Sequence, residues 1–202
     1  MSQTKLDPRL LDSAVALPAM SGAALTGLAS DFVLLATNTP STASTSDFTA
    51  FDNATYSRYE FHYYDLTTSV DGNNLGIRFS TDAGSSFISS TSYYHATREV
   101  NEAGSLANQT GSGSDRWYQF QGANWGSASN EKASGVITIH DPGASTWTRG
   151  NCLHNYSDDQ AGTNETMGVG AGTLQSASAV DGLRFLLDSG SMTGTIKMYG
   201  VK

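Results

Sequence analysis

The sequence predicts an all-β protein: an antiparallel β-sandwich, jelly-roll-like, behind a short N-terminal extension. Three observations predict it. Charged residues make up 15% of the 202-residue chain, and polarity comes instead from Ser, Thr, Asn and 21 glycines. Helices draw on Ala, Leu, Glu, Lys and Arg, so this composition suits turns and strands better. From Phe32 onward, apolar residues recur with a period of two, in short runs separated by turn residues every 8 to 15 positions. No helical segments of 10–15 residues alternate with these runs, which argues against parallel βαβ units. About ten strands follow, enough for two packed sheets. No fixed-period repeat suggests a propeller or solenoid.

Residues 1–30 contain no aromatic residue and carry Leu, Ala and Met among Pro8, Pro18, Gly22 and Gly27. Leu10, Leu11, Ala14 and Leu17 share one face of a possible short helix that Pro18 ends. We expect an anchoring or oligomerisation segment here, with Leu10, Leu11, Leu17, Met20, Leu25 and Leu28 as its apolar contacts. Residues 31–202 form the expected sandwich domain.

The strands are predicted in order. "FVLLAT" is a short buried strand, and "STASTS" a flexible loop after Pro40. "YSRYEFHYYDL" alternates cleanly, with Tyr59, Phe61 and Tyr63 on one face. Asp71 to Asn74 has turn chemistry. "LGIRFS" places Leu75, Ile77 and Phe79 on one face. "STSYYHATREV" is a strand, and 101–114 a long polar loop. "RWYQFQG" is a strand, then "GANWGSASNEKAS" a loop. "GVITIHD" pairs Ile137 with Ile139 on one face. "STWTRGNCLHNY" is a strand broken at Gly150, and the glycines at 162 and 168–172 punctuate a further loop and strand. The ending "VDGLRFLLDSGSMTGTIKMYGV" is predicted to be a hairpin, with Ile196 and Met198 packing beside Leu183, Phe185 and Leu187.

The net charge is −8, which repels phosphate backbones and anionic lipid surfaces, so nucleic acid and membrane are excluded as expected partners. The longest dense apolar run, "FVLLA", is far short of the ~20 residues of a membrane span. The first 22 residues lack the apolar core of a signal peptide, since Asp7, Pro8, Arg9, Asp12 and Ser13 interrupt it. A single cysteine, Cys152, rules out an internal disulfide.

Three stretches carry a resemblance. "LPAMSGAALTGL" resembles the "LPA-x-SG-x-x-LTG" segments of phage tail-fibre and spike proteins. "LGIRFSTDAGSSF" resembles the "L-x-L-R-x-S-T-D-G-G" hairpin of small phage virion proteins. "VDGLRFLLDSGSMTGTIKMYGV" resembles their C-terminus. Together they cover about a quarter of the chain, at its start, middle and end. The resemblance to small bacteriophage virion structural proteins, of tail-fibre, spike or head-decoration type, implies an oligomeric β-sandwich without catalysis. It implies a trimer in the virion, assembled in the host cytoplasm. The N-terminal segment would contact other virion proteins, and the sandwich would project towards the host surface, where a glycan is a possible contact. A capsid decoration or head-fibre protein and a free carbohydrate-binding module are the alternatives.

The chemistry-bearing residues do not assemble into a catalytic pattern. "STDAGSSF" resembles the Asp-box of sialidases, but it occurs once. Arg58, Arg78, Arg98, Arg116, Arg149 and Arg184 have no order that suggests a carboxylate-binding triad. The stretch is expected to be a turn device, with Asp82 capping, Gly84 permitting a positive φ, and Phe87 pointing into the core. Glu60, Asp141 and Asp188 are strand carboxylates with no reason to pair as a glycosidase dyad. No G-x-S-x-G elbow is present. His62, His95, His140 and His154 lack metal-ligand spacing, and Asp71, Asp82 or Asp158-Asp159 could meet Ca²⁺ only outside an EF-hand pattern. No metal or cofactor is therefore expected. The aromatics Tyr93, Tyr94, Trp117, Trp125 and Trp147 are the candidate ligand-binding residues, because exposed rings stack on the apolar C–H faces of sugars. Trp125, in "GANWGSASN", is the one most expected to be exposed.

Overall fold

The computed structural model describes residues 31–157 and 165–202. The segment predicted at 1–30 and the Asp158-Asp159 pair lie outside the described residues. Among the described residues there are twelve strands: β1 (Phe32–Asn38), β2 (Thr45–Phe48), β3 (Arg58–Thr68), β4 (Asn73–Ser80), β5 (Tyr93–Asn101), β6 (Leu106–Ser114), β7 (Trp117–Trp125), β8 (Ala133–His140), β9 (Thr148–Ser157), β10 (Glu165–Leu174), β11 (Gly182–Leu187) and β12 (Met192–Val201).

They form two antiparallel sheets. The larger has the order β1-β12-β3-β8-β9-β10-β5-β6, and the smaller the order β2-β11-β4-β7. Half of the large sheet, β1-β12-β3-β8, and the whole small sheet together have the strand order of an eight-stranded jelly roll. Two hairpins are added. β5–β6 is inserted between β4 and β7, and β9–β10 between β8 and β11. Both join the large sheet, which therefore extends by four strands.

The inner faces carry the core. Phe61 of β3 meets Phe48 of β2 and Phe185 of β11 at centroid distances of 5.4 and 6.0 Å, joining the two sheets edge to face. Phe120 of β7 stacks on Tyr156 of β9 at 4.6 Å, so β7 covers the inner side of the added strands. β3 shows how alternation and its interruption place side chains. Tyr59, Phe61 and Tyr63 are fully buried; then Tyr64 and Asp65 both face solvent, and Leu66 is buried again. The pairing with β8 shifts between Tyr63 and Leu66, and Asp65 has a φ of +49°. This bulge adds one residue, so Asp65 also faces solvent and Leu66 takes the inward phase, while Tyr64 keeps the outward phase that alternation gives it.

Several expectations are corrected. The stretch 101–114 contains strand β6, an edge strand whose side chains are polar or exposed on both faces. Its sequence therefore lacks a buried period. β10 runs through Gly168, Gly170 and Gly172, and β9 through Gly150. β2 begins inside the predicted loop after Pro40. β11 and β12 are not a hairpin: they lie in opposite sheets, so Phe185 faces β12 across the core instead of beside it. β1 is an edge strand with Phe32 and Leu34 exposed.

Candidate functional site

Three of the five candidate aromatics are core residues. Tyr93, Trp117 and Trp125 are at most 1% exposed. None can stack on a ligand, which corrects the expectation for all three and most sharply for Trp125. The reason is their strand phase. Tyr93 lies on the inner face of β5, and its hydroxyl accepts the Phe79 N–H at 2.8 Å and donates to the Ile88 carbonyl at 3.0 Å. Trp125 ends β7 opposite Asn73, and its indole N–H donates to the Glu131 carbonyl at 3.3 Å. Trp117 fills space above the side-chain-free inner surface of β10. Tyr94 and Trp147 are exposed, at 37% and 46%, but their rings do not meet.

The "STDAGSSF" stretch carries β4 into a crossing between sheets, since β5 belongs to the large sheet. It is therefore not a hairpin between paired strands. Ser80 Oγ accepts the Gly84 N–H at 2.8 Å and donates to Asp82 Oδ1 at 2.8 Å. Asp82 also accepts the Ser86 N–H at 2.9 Å and the Ser86 hydroxyl at 2.6 Å. These bonds, Ser86's first, hold the Asp82 carboxyl below its ordinary range. Gly84 has a φ of +83°. Phe87 is half-buried at the surface, outside the core, beneath the Arg184 guanidinium at 4.0 Å. Arg184 also grips both oxygens of Asp47.

The titratable residues are mostly engaged by one another. Glu60 lies 3.1 Å from His62 and 3.7 Å from Arg58. Asp188 accepts from Arg116, Tyr118 and Asn74 on the outer side of the small sheet, and Asp115 pairs with Arg78 and Arg116. Asp71 accepts the Ser127 N–H at 2.7 Å. Among the described residues, no group of three His, Cys, Asp or Glu side chains is placed to hold a metal. Within the extension, Cys152, His154 and Glu99 follow one another, with Sγ–Nδ1 at 4.0 Å and Nε2–Oε1 at 3.5 Å. All three are at most 3% exposed. Burial, with the Glu99 charge adding to it, pushes the Cys152 thiol up to about 12, so it stays protonated and sealed from a substrate.

The feature that stands out lies on the opposite face of the same strands. Register aligns Val136, Leu153, Val169, Arg98 and Asn108 in one row across β8, β9, β10, β5 and β6. The next row holds Ser134, Asn155, Met167, Val100 and Leu106. Six of these side chains are apolar, and Arg98 is the sole charge. Leu106, Leu153, Met167 and Val169 are each 57–60% exposed. Two shallow grooves share Leu153 and Met167. One is edged by Val136 and Glu165, the other by Val100, Leu106 and Val169. An apolar patch of this kind is uncommon on a soluble monomer, and charge depletion at its centre is a property of protein interfaces. None of these six residues stood among the candidates, because each strand contributes only one or two and only the sheet register unites them.

Comparisons with known protein families, curated proteins and solved structures find no match to this chain.

Proposed function

We propose that the chain is a non-enzymatic structural protein of a bacteriophage particle, a fibre- or spike-type component that self-associates as a trimer. The observation that carries the assembly role is the apolar face of β8, β9, β10, β5 and β6, with Arg98 the one charge in its two rows, on a chain of net charge −8. Its occupant is a second copy of the chain. The outer face of these five strands, about 4.8 Å apart and some seven residues long, offers roughly 550 Å² per copy, or about 1,100 Å² for a pair, when the polar positions beside the two apolar rows are included. That reaches the size of a specific interface, about 1,000 Å². The three resembling stretches supply the phage assignment. Residues 1–30 are proposed to tie the particle's other proteins to this one. The jelly-roll strand order favours a second reading, a capsid decoration or head-fibre protein, since shell-associated viral proteins use that architecture.

Analytical ultracentrifugation of the full chain tests the proposal. A trimer at micromolar concentration is expected, dissociating when Leu153→Asp and Met167→Asp are combined, with the circular dichroism spectrum unchanged. A monomeric parent protein, or an oligomer indifferent to both substitutions, would overturn it.

A further inference from the structure

The other half of the same outer face, on β1, β12 and β3, has a different chemistry. The Phe32 ring stacks on Tyr199 at 4.4 Å and 17°. Tyr199 meets the His62 ring at 5.0 Å, and His62 meets Tyr64 at 6.3 Å. Phe32 and Tyr64, the ends of this series, are 40% and 42% exposed. Tyr64 reaches this surface in the outward phase of β3 that it shares with Glu60 and His62. Polar groups flank the rings. Tyr64 Oη and His62 Nδ1 are 3.3 Å apart, His62 Nε2 reaches Glu60 Oε2 at 3.1 Å, and the Lys197 ammonium stands 5.8 Å from the Tyr64 ring centre.

We propose that this row of rings is a binding platform for a neutral oligosaccharide, with Phe32 and Tyr64 as stacking surfaces and Glu60 and Lys197 as hydrogen-bonding flanks. A pyranose presents an apolar C–H face bordered by hydroxyls, and rings bordered by donors and acceptors match both parts. The platform is open, whereas a site for one small molecule is concave. An extended chain of several sugar units is the ligand that spans two separated rings. Glu60 is balanced by Arg58 and His62, and the chain is acidic overall, so an anionic polysaccharide is disfavoured. A protein partner fits less well, because charged groups surround these rings while the charge-poor aliphatic face lies elsewhere on the sheet. The proposal goes beyond the assembly reading and holds whether or not the chain self-associates.

Isothermal titration of the full chain with cellohexaose, maltohexaose and chitohexaose tests it. At least one should bind with a sub-millimolar Kd. Tyr64→Ala and Phe32→Ala should each weaken that binding by about tenfold or more, the scale of one lost aromatic stack. Tyr94→Ala and Arg149→Ala should leave it unchanged, and thermal melts should show all four variants folded. Absence of binding by all three sugars, or binding unaffected in the Phe32→Ala, Tyr64→Ala double variant, overturns the proposal. So does a change in sedimenting mass in that double variant without a change in sugar binding, which would make the rings a protein interface.

Discussion

The indole of Trp117 lies against the backbone of Gly172, so close that a Cβ on residue 172 would stand 2.3 Å from two ring atoms. Neighbouring glycines do the same for other side chains. A Cβ at Gly168 would meet His154 at 2.3 Å, and one at Gly150 would meet the Thr138 carbonyl at 2.3 Å and Trp117 at 2.9 Å. At Gly150, Gly168 and Gly172 the inner surface of β9–β10 thus omits side chains, which leaves room for Trp117 of β7 and His154 of β9. Gly172→Ala forces the indole or the strand to move, and overpacking of this kind costs about 1–3 kcal/mol. Ala171→Ser, on the outer face of the same strand, should stay within about 0.5 kcal/mol. Urea denaturation midpoints of the two variants check the contrast; equal midpoints would refute it.

Cys152 should be silent in the folded protein. It is 3% exposed, and burial pushes its thiol up to about 12, so the reactive thiolate is scarce at pH 8. Ellman's reagent should leave it unmodified under native conditions and titrate one thiol per chain in guanidinium. Native labelling at the rate of a free thiol would show that the layer beneath β7 opens readily.

The same packing explains what was legible in the sequence. β3 and β8 stand out because each has one buried and one partly solvated face, which imposes the two-residue period. β6 is an edge strand without a buried face, so its residues carry no period to read. Glycine reads as punctuation, yet Gly150, Gly168 and Gly172 lie within strands because inward side chains there would collide with Trp117, His154 and Thr138. Trp125 has small and polar neighbours in sequence, but the end of β7 carries it into the core against Phe120. Leu153, Met167 and Val169 look isolated in the chain; only the pairing of β9 with β10 makes a surface of them.

Three buried tyrosines predict alkaline instability. Burial raises the phenols of Tyr63 and Tyr93, and raises Tyr59 to about 12. Above pH 10 the unfolded chain ionises these groups while the folded chain keeps them neutral, so the unfolded state gains. Their contribution is complete below about pH 10 and is lost as pH rises through the folded values. The urea midpoint should fall steeply above pH 10. Tyr93→Phe should flatten that fall, and at pH 7 should cost about 1–3 kcal/mol, since the buried Phe79 N–H loses its acceptor. A midpoint independent of pH between 9 and 11 would contradict the assignment.

Asp82 predicts the opposite behaviour in acid. Its carboxylate accepts from Ser86 twice and from Ser80, which holds it below the ordinary value near 4. A lowered acid contributes stability that is present above its unfolded value and lost as pH falls through the folded one. Asp82→Asn removes the charge, so the variant should melt lower than the parent at pH 7. The gap should begin to narrow near pH 4, where the unfolded chain's carboxyl takes up its proton, and should close as pH falls through the lower value of the folded parent. Ser86→Ala, which removes the hydroxyl donor but keeps the N–H, should show a smaller gap closing over the same range. Melting curves from pH 2.5 to 7 separate this from a purely steric effect, for which the gap between parent and Asp82→Asn would not depend on pH.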